Sequence, residues 1–273
     1  MVTTRGGGTS AVPTYLDNIL AHHRDRARAD TRPMEELREH ALRVAPVRGF
    51  AAALAGDGIS VIAEVKRRSP SRGDLCPDLD PGECAREYAV GGASCMSVLT
   101  DGAFFGGSAD DLRVARGATD LPVLRKDFTV CPADVLDARA MGADAVLLIV
   151  AALDDRELHD LIDLSTEIGL DALVEAHDAA EIERACVAGA TLVGVNQRDL
   201  TRFTVDTSLA LRLAPGIPQE VIGIAESGIT SPEDIAALAA AGYRGALVGE
   251  SVVTAPDRAK AVRTLVEAGG GRR

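Results

Sequence analysis

The chain has 273 residues, of which 47% are hydrophobic and 3% aromatic, so it can bury a large core that is almost entirely aliphatic. Its formal net charge of -12 at pH 7 argues against nucleic acid or an anionic membrane as a partner, because their phosphate groups would be repelled. A small anionic substrate in a locally positive pocket stays compatible with this charge, and the sequence identifies no protein partner.

The cysteines and histidines lack the spacings of a metal site or a disulfide framework. The five cysteines are scattered and form no C-x-x-C pair, and the five histidines form no H-E-x-x-H or comparable ligand set. The N-terminus lacks the apolar run of a signal peptide, and the longest apolar run, 145–153, is too short to cross a bilayer. We therefore expect a reduced, cytoplasmic protein without a metal.

Residues 1–13 are expected to be disordered and residues 14–58 to form a helical extension. The first helix presents one apolar face, made of Tyr15, Leu16, Ile19 and Leu20. Pro33 then begins a second amphipathic helix.

Residues 59–270 contain eight β-rich runs that alternate with amphipathic helical stretches at βα-unit spacing. The runs are SVIAEVK (60–66), CMSVLT (95–100), PVLRKDF (122–128), DAVLLIV (144–150), DALVEA (171–176), TLVGVN (191–196), VIGIAES (221–227) and GALVGES (245–251). This repetition predicts an α/β protein, a single-domain (β/α)8 TIM barrel with an N-terminal helical extension. An open doubly wound sheet is the alternative, but no G-x-G-x-x-G motif follows the first run.

Lysine is rare in this sequence and is concentrated at strand ends. Only Lys66, Lys126 and Lys260 occur among 29 basic residues, and the first two end the first and third runs. Because active sites of such barrels form at the carboxyl ends of the strands, and lysine can give up its proton whereas arginine cannot, this placement indicates proton transfer. The alternative is that both lysines are only ion-pair partners at the barrel mouth.

Carboxylates and an amide occupy the same level of the predicted barrel. Side chains two residues apart on a strand share one face, which places Glu64, Glu175, Asn196 and Glu226 in the interior with the two lysines. Charges buried in this way must be paired or must bind a ligand, because an unpaired buried ion costs several kcal/mol. The alternative is a purely structural polar layer.

The loops after the last two predicted strands are rich in small residues. Ser227, Gly228, Gly249 and the backbone at Glu250 can expose amide groups to an anion, and the helix that follows at 231–232 adds partial positive charge. The alternative is that these small residues only form ordinary turns.

Two other segments each allow two interpretations. The adjacent Phe104-Phe105 pair either covers a flat apolar ligand or packs against the N-terminal helices, and the basic loop 67–73 either closes over an anion or is a flexible linker.

Seven sequence blocks resemble the indole-3-glycerol-phosphate synthase family, in order along residues 14–268. The blocks are IAEVKRRSPSRG (62–73), SVLTD with FFGGS (97–108), LRKDF (124–128), GADAVLLI (142–149), LVE (173–175), GVNQRDL (194–200) and ESGI (226–229). The resemblance implies a barrel that converts 1-(2-carboxyphenylamino)-1-deoxyribulose 5-phosphate into indole-3-glycerol phosphate, carbon dioxide and water, without a cofactor.

The resemblance also implies roles for residues at matching positions. It implies that Lys126 is the general acid, that Glu175 is the general base and that Lys66 holds the substrate carboxylate. The residues implied to assist catalysis are Glu64 and Asn196, and those implied to contact the substrate are Ser69, Arg198 and Glu226, with Phe104 along the aromatic ring. The implied phosphate contacts are Ser227, Gly228, Gly249 and the Glu250 backbone.

Two positions depart from the family pattern. Gln197 stands where the family often has a second Asn, and Ala133 where it often has Tyr, which leaves the local packing of both loops open.

Two other functions stay possible at this stage. One is a related sugar-phosphate isomerase, which would use carboxylates or Cys at strand ends, and the other is a catalytically idle barrel that binds a phosphate ligand.

Overall fold

The computed structural model describes residues 14–69, 72–199, 201–202 and 204–270, so the predicted disordered segment 1–13 lies outside the described residues. Within the described residues, eight parallel strands close into a barrel in which neighbours follow one another along the chain. The first strand pairs with both the next and the last barrel strand, which closes the ring. The predicted (β/α)8 barrel is confirmed, and an open sheet is excluded.

Two further short strands form an antiparallel hairpin in the loop after the first barrel strand. In chain order the strands are β1 Ser60–Val65, β2 Arg68–Ser69, β3 Gly73–Asp74, β4 Cys95–Leu99, β5 Val123–Lys126, β6 Ala145–Ile149, β7 Asp171–Ala176, β8 Leu192–Asn196, β9 Ile222–Glu226 and β10 Gly245–Val248. The hairpin is β2–β3, and the others form the barrel. The sequence predicted no hairpin, and it extended the last strand to 251, beyond its end at Val248.

Helices separate the barrel strands and cover the outside of the barrel. They are α1 Tyr15–Ala29, α2 Met34–Arg43, α3 Phe50–Leu54, α4 Pro81–Gly91, α5 Gly102–Phe105, α6 Ala109–Ala118, α7 Pro132–Met141, α8 Asp155–Glu167, α9 Ala179–Val187, α10 Leu209–Leu213, α11 Pro232–Ala240, α12 Glu250–Val253 and α13 Arg258–Ala268. Glycines end two helices that precede strands: Gly92 and Gly142 cap α4 and α7 with φ of 89° and 92°. In the described part of the chain, none of these helices has the length and apolarity needed to span a bilayer.

The N-terminal helices contact both ends of the barrel. At the amino-terminal end of the strands, α3 buries Phe50, and its Ala51 amide donates to Asp171 at the start of β7. At the opposite end, which we call the mouth, α1 places His23 against Asp101, which follows β4. The extension therefore closes the bottom of the barrel and reaches the rim where the functional side chains lie.

Asp144 fastens the linker before α3 to the barrel, and its loss is expected to destabilise the fold. Its fully buried carboxylate accepts hydrogen bonds from the amides of Arg48 and Val123 at 2.8 Å and pairs with Arg116 at 3.0 Å. Asp144→Ala leaves those donors without a buried acceptor, so we expect the free energy of unfolding to fall by about 3 kcal/mol in a urea titration. Asp160→Ala removes an exposed ion pair and should cost less than about 0.5 kcal/mol. Equal losses in the two variants would contradict this account of Asp144.

Candidate active site

The strand ends bring the predicted charged side chains into one layer at the mouth. The carboxylates of Glu64, Glu175 and Glu226 and the amide of Asn196 are buried, and the two lysines are half-buried. Together they line a cavity of about 770 Å³, and its floor includes the apolar side chains of Leu147 and Leu247. The structure therefore places the amines of both lysines in one shared cavity, as the sequence predicts.

Lys126 is held between two carboxylates that reach it from across the barrel. Its Nζ donates to Oε2 of Glu175 at 2.8 Å and to Oε2 of Glu226 at 2.7 Å. Asn196 also hydrogen-bonds the Glu175 carboxylate. Gly194 leaves room for this arrangement, because a Cβ added there would lie 2.1 Å from Oε1 of Glu226.

Lys66 forms a second ion pair at the end of β1, which only β4 separates from the β5 strand of Lys126. Its Nζ donates to Oε1 of Glu64 at 2.7 Å, and Ser97 donates to the other oxygen of that carboxylate at 3.3 Å. Glu64 and Lys66 stand two residues apart at the end of β1, so both side chains point inward. Each lysine thus has its own carboxylate partner.

Burial and cross-barrel charge shift the pKa values around Lys126 in opposite directions. Burial opposes the charge of Lys126, but Glu175, Glu226 and Glu64 outweigh it and raise the pKa of the ammonium well above its usual range. Burial also opposes the charge of Glu175, yet Lys126 and His177 hold its pKa at about 2. For Glu226, burial and the nearby Glu175 carboxylate outweigh Lys126 and raise the pKa to about 7. One of the two carboxylates is therefore a stable anion, and the other can hold a proton near neutral pH.

Small residues line the cavity at the ends of β9 and β10, where Gly249 lies beside Lys66 because β10 pairs with β1. We call Ser227, Gly228, Gly249 and the Glu250 backbone the anion seat. Ser227 and Gly228 have successive positive φ angles of 66° and 73°, and among the described residues Ser227 is the only non-glycine with a positive φ. Successive turn residues of this kind form concave backbone sites, and residues other than glycine adopt this conformation mostly where function requires it.

One feature of the anion seat differs from the sequence expectation, which counted the start of the following helix among the groups open to an anion. The amides of Thr230 and Ser231 at the start of α11 donate to the Asp234 side chain, so the helix start is already occupied. The Glu250 carboxylate pairs with Arg72 at 3.1 Å. Arg72 belongs to the loop after β1, and β1 is the neighbour of β10, so the basic loop reaches the adjacent anion seat. Its residues 70 and 71 lie outside the described residues.

The aromatic contact differs from the prediction by one residue. Phe104 packs against Tyr15 and His22 of α1, with ring centroids 5.9 and 5.6 Å apart, and does not line the cavity. Phe105 lines it instead, together with Phe128 at a centroid distance of 6.1 Å. Packing against the N-terminal helices is therefore observed for Phe104, and Phe105 is the ring of the pair that lies at the cavity.

The remaining predicted contacts lie at the rim. Ser69 is buried in β2 and lines the cavity, and within the described residues its hydroxyl has no hydrogen-bond partner. Arg198 also lines the cavity, and its amide donates to Asn196 at 3.0 Å.

The departures from the family pattern are accommodated locally. The longer amide of Gln197 donates to the carbonyl of Ser227 at 2.8 Å, so it braces the anion seat. Ala133 is buried in the first turn of α7.

A buried cluster of His23, Asp101 and Asp127 escaped the sequence analysis, which read no histidine as a metal ligand. Its ligand atoms lie within 4.8 Å of one another, a grouping compatible with a metal ion. Both carboxylates already have other partners: Asp101 accepts from the amides of α5, and Asp127 pairs with Arg125 at 2.9 Å. We interpret the cluster as the joint between α1 and the mouth.

The sequence analysis also missed His177, whose Nε2 lies 3.5 Å from Oε1 of Glu175. The spacing in the sequence could have indicated this residue. His177 follows Glu175 by two residues, as side chains on one face of a strand do, and it precedes Glu181 by four, a spacing at which side chains often interact. Only the structure shows that α9 turns Glu181 back onto the imidazole, with 3.0 Å between Oε2 and Nδ1.

A closed parallel barrel whose mouth holds two lysines paired with buried carboxylates, together with an anion seat of small residues, defines an acid–base enzyme of the (β/α)8 class. The sequence profile of indole-3-glycerol phosphate synthase matches residues 16–265. The chain therefore belongs to the indole-3-glycerol phosphate synthase family, whose members are decarboxylating lyases of tryptophan biosynthesis.

Curated relatives match over nearly the whole length. The indole-3-glycerol phosphate synthase of Streptomyces griseus is 49% identical over 261 residues, which is 95% of this chain and 96% of the relative. The enzyme of that name from a Nocardioides species is 50% identical over 92% of this chain and 98% of its own. Among solved structures, a thiamine phosphate pyrophosphorylase from Pyrococcus furiosus is similar with a TM-score of 0.60 and 19% identity, over 78% of this chain and 96% of that one. At that identity the likeness concerns the fold alone.

Proposed function

We propose that this protein closes the indole ring, converting 1-(2-carboxyphenylamino)-1-deoxyribulose 5-phosphate into indole-3-glycerol phosphate, carbon dioxide and water in the cytoplasm. One observation carries the proposal: Lys126 is bound by Glu175 and Glu226 in the cavity that also holds Lys66 and the anion seat. Acid, base, second cation and phosphate position are thus present together in a member of this family.

Ring closure needs a proton on the substrate carbonyl as the aryl carbon attacks it. Lys126 supplies that proton in this proposal, because its ammonium stays charged inside the cavity. Lys66 holds the substrate carboxylate, and Glu64 fixes the lysine in place. Loss of carbon dioxide then restores the aromatic ring, so the departing electron pair needs no other acceptor.

Dehydration needs a base on one side of the new ring and an acid on the other. Glu175 is the base, because the charges of Lys126 and His177 keep it ionised in a buried position. Asn196 orients it, and Phe105 and Phe128 offer apolar faces to the aromatic ring. Ser69 Oγ and Glu226 Oε1 are buried and without hydrogen-bond partners in the described part of the chain, so both are available to the sugar hydroxyls.

The phosphate group is assigned to the anion seat, and a carboxylate placed there should weaken substrate binding. Ser227→Asp sets a negative charge beside the phosphate, and aspartate tolerates the left-handed backbone at φ 66°. We expect KM to rise about 10- to 100-fold in initial-rate measurements, with kcat changed less than about threefold. The isosteric and neutral Ser227→Asn is the matched control. A KM equal to that of the control would place the phosphate elsewhere.

The direct test adds the aryl-aminodeoxyribulose phosphate to the protein and follows indole fluorescence together with released carbon dioxide. We expect both products in equal amounts. An isomerase would rearrange a sugar phosphate without releasing carbon dioxide, and an idle barrel would bind the compound without any product. Either result would refute the proposed function.

A further inference from the structure

His177 connects the candidate base to the outside of the barrel. It follows β7 directly, and its Nε2 faces Oε1 of Glu175 at 3.5 Å, whereas its Nδ1 lies 3.0 Å from Oε2 of Glu181. A carboxylate only accepts hydrogen bonds, so both ring nitrogens face acceptors. The arrangement fits an imidazolium that donates Nδ1–H to Glu181, while Nε2 is buried, lies at ion-pair distance from Glu175 and makes no hydrogen bond within the described residues.

A second cavity, of about 380 Å³, opens on the far side of this histidine. His177, Glu181 and Asn196 line it together with Leu16 of α1 and the loop after β8. The side chains of His177 and Glu181 keep 19% and 18% of their surface exposed, whereas Glu175 keeps 2%. His177 lines this second cavity but not the cavity that holds both lysines, whereas Asn196 lines both, so the histidine stands between a second solvent-accessible space and the buried Glu175.

The proposed reaction consumes one proton in each turnover. The substrate enters with an ionised carboxylate and that group leaves as neutral carbon dioxide, while the phosphate keeps its charge. Two steps need an acid, at the carbonyl and at the departing hydroxyl, and one step needs a base. A buried site with bound substrate at its mouth therefore needs another route for a proton from solvent.

We propose that His177 is the proton-delivery residue of this enzyme, carrying a proton from the second cavity to Glu175 and through it to Lys126. This inference rests on the proposed function. After Lys126 has given its proton to the substrate, the Nε2–H bond of His177 breaks and an O–H bond forms on Oε1 of Glu175. A half-turn of the carboxyl group then presents that proton to the neutral amine. The neutral imidazole then turns until its unprotonated Nε2 reaches the second cavity, takes up a proton from water there, and returns to face Glu175.

The electrostatics favour this direction of transfer. Lys126 holds the pKa of Glu175 down against burial, so once the amine is neutral the carboxylate accepts a proton readily. Burial opposes the charge of His177, but the hydrogen bond that the ring donates to Glu181 and the charges of Glu175, Glu181 and Glu226 outweigh it and raise the pKa of His177 above its usual value. The other charged groups that face the histidine are Lys126, bound to Glu175, and Asp199 and Asp206, which line the second cavity.

The pH dependence follows from the raised pKa of His177. The imidazolium is the donor, so turnover is supported below that pKa and declines as the pH rises through it. We expect a descending limb of kcat with a midpoint above 6.5. Glu181→Gln removes the carboxylate that stabilises the imidazolium, so the midpoint should move to lower pH.

The test compares His177→Gln with His159→Gln, the same substitution at a mostly exposed histidine of α8. For His177→Gln we expect kcat to fall about 10- to 100-fold, with KM and product affinity within about twofold, and with the descending limb lost. Added imidazole, which fits the second cavity, should restore turnover in proportion to its protonated fraction. His159→Gln should behave as the unmodified protein.

Two results would overturn the assignment. One is a His177→Gln enzyme with unchanged kcat and an unchanged descending limb. The other is a slow enzyme whose pH profile keeps its limb and does not respond to imidazole, which would make His177 purely structural. If His177→Gln does not fold, as judged by circular dichroism, an unshifted limb in Glu181→Gln overturns the proposal instead. Failure of the proposed function is separate, because the unmodified protein would then form no indole product.

Discussion

Lys126→Met is expected to abolish turnover while binding of indole-3-glycerol phosphate persists. Methionine is close to lysine in length but has no proton to donate, so kcat should fall about 10³-fold or more. The change also removes the only ammonium that Glu175 and Glu226 contact directly among the described residues. Buried carboxylates without a cation take up protons and become neutral, so the variant loses less folding stability than two unpaired buried charges would cost.

A single-turnover experiment shows at which step Lys126 acts. If Lys126 protonates the carbonyl during ring closure, Lys126→Met releases neither carbon dioxide nor indole product. The matched control is Lys260→Met, which removes an exposed lysine of α13 and should leave both products unchanged. Turnover at the unmodified rate in Lys126→Met would remove this residue from the role of acid.

The barrel and its polar layer could be predicted from the sequence because both depend on local periodicity. Alternation along a strand places Glu64 and Lys66 on one face, and parallel strands bring their carboxyl ends to one rim whatever the details of packing. The scarcity of lysine pointed to Lys126 without any knowledge of its neighbours. These inferences need only the spacing of residues within one segment.

Pairings across the barrel could not be predicted in the same way. Lys126 and Glu226 are separated by 100 residues, and their contact depends on barrel closure and on the absence of a side chain at Gly194. Which of Phe104 and Phe105 lines the cavity depends on the rotation of the four-residue helix α5 about its axis, because adjacent residues of a helix point about 100° apart. Likewise, the contact between Arg72 and Glu250 joins two loops whose conformations no periodic pattern specifies.

Glu175→Gln is expected to separate decarboxylation from dehydration. The amide keeps the size of the carboxylate and accepts no proton, so the step that needs the base should slow by about 10²- to 10⁴-fold. Ring closure depends on Lys126, whose pKa remains raised by Glu226 and Glu64. In a single turnover, carbon dioxide should therefore appear well before indole fluorescence. The reason is that the intermediate that has closed its ring and still carries the hydroxyl group accumulates.

The same measurement distinguishes Glu175 as base from Glu175 as a mere partner of Lys126. If its main role were to hold the lysine in place, Glu175→Gln would delay carbon dioxide and indole equally, as Lys126→Met does. Glu183→Gln, an exposed change on α9, is the control and should alter neither trace. Lys126 keeps one carboxylate at 2.7 Å when Glu175 is replaced, so the geometry required for the first acid step survives. A carbon dioxide trace that runs ahead of the indole trace therefore assigns the base, whereas equal delays would reduce Glu175 to a positioning residue.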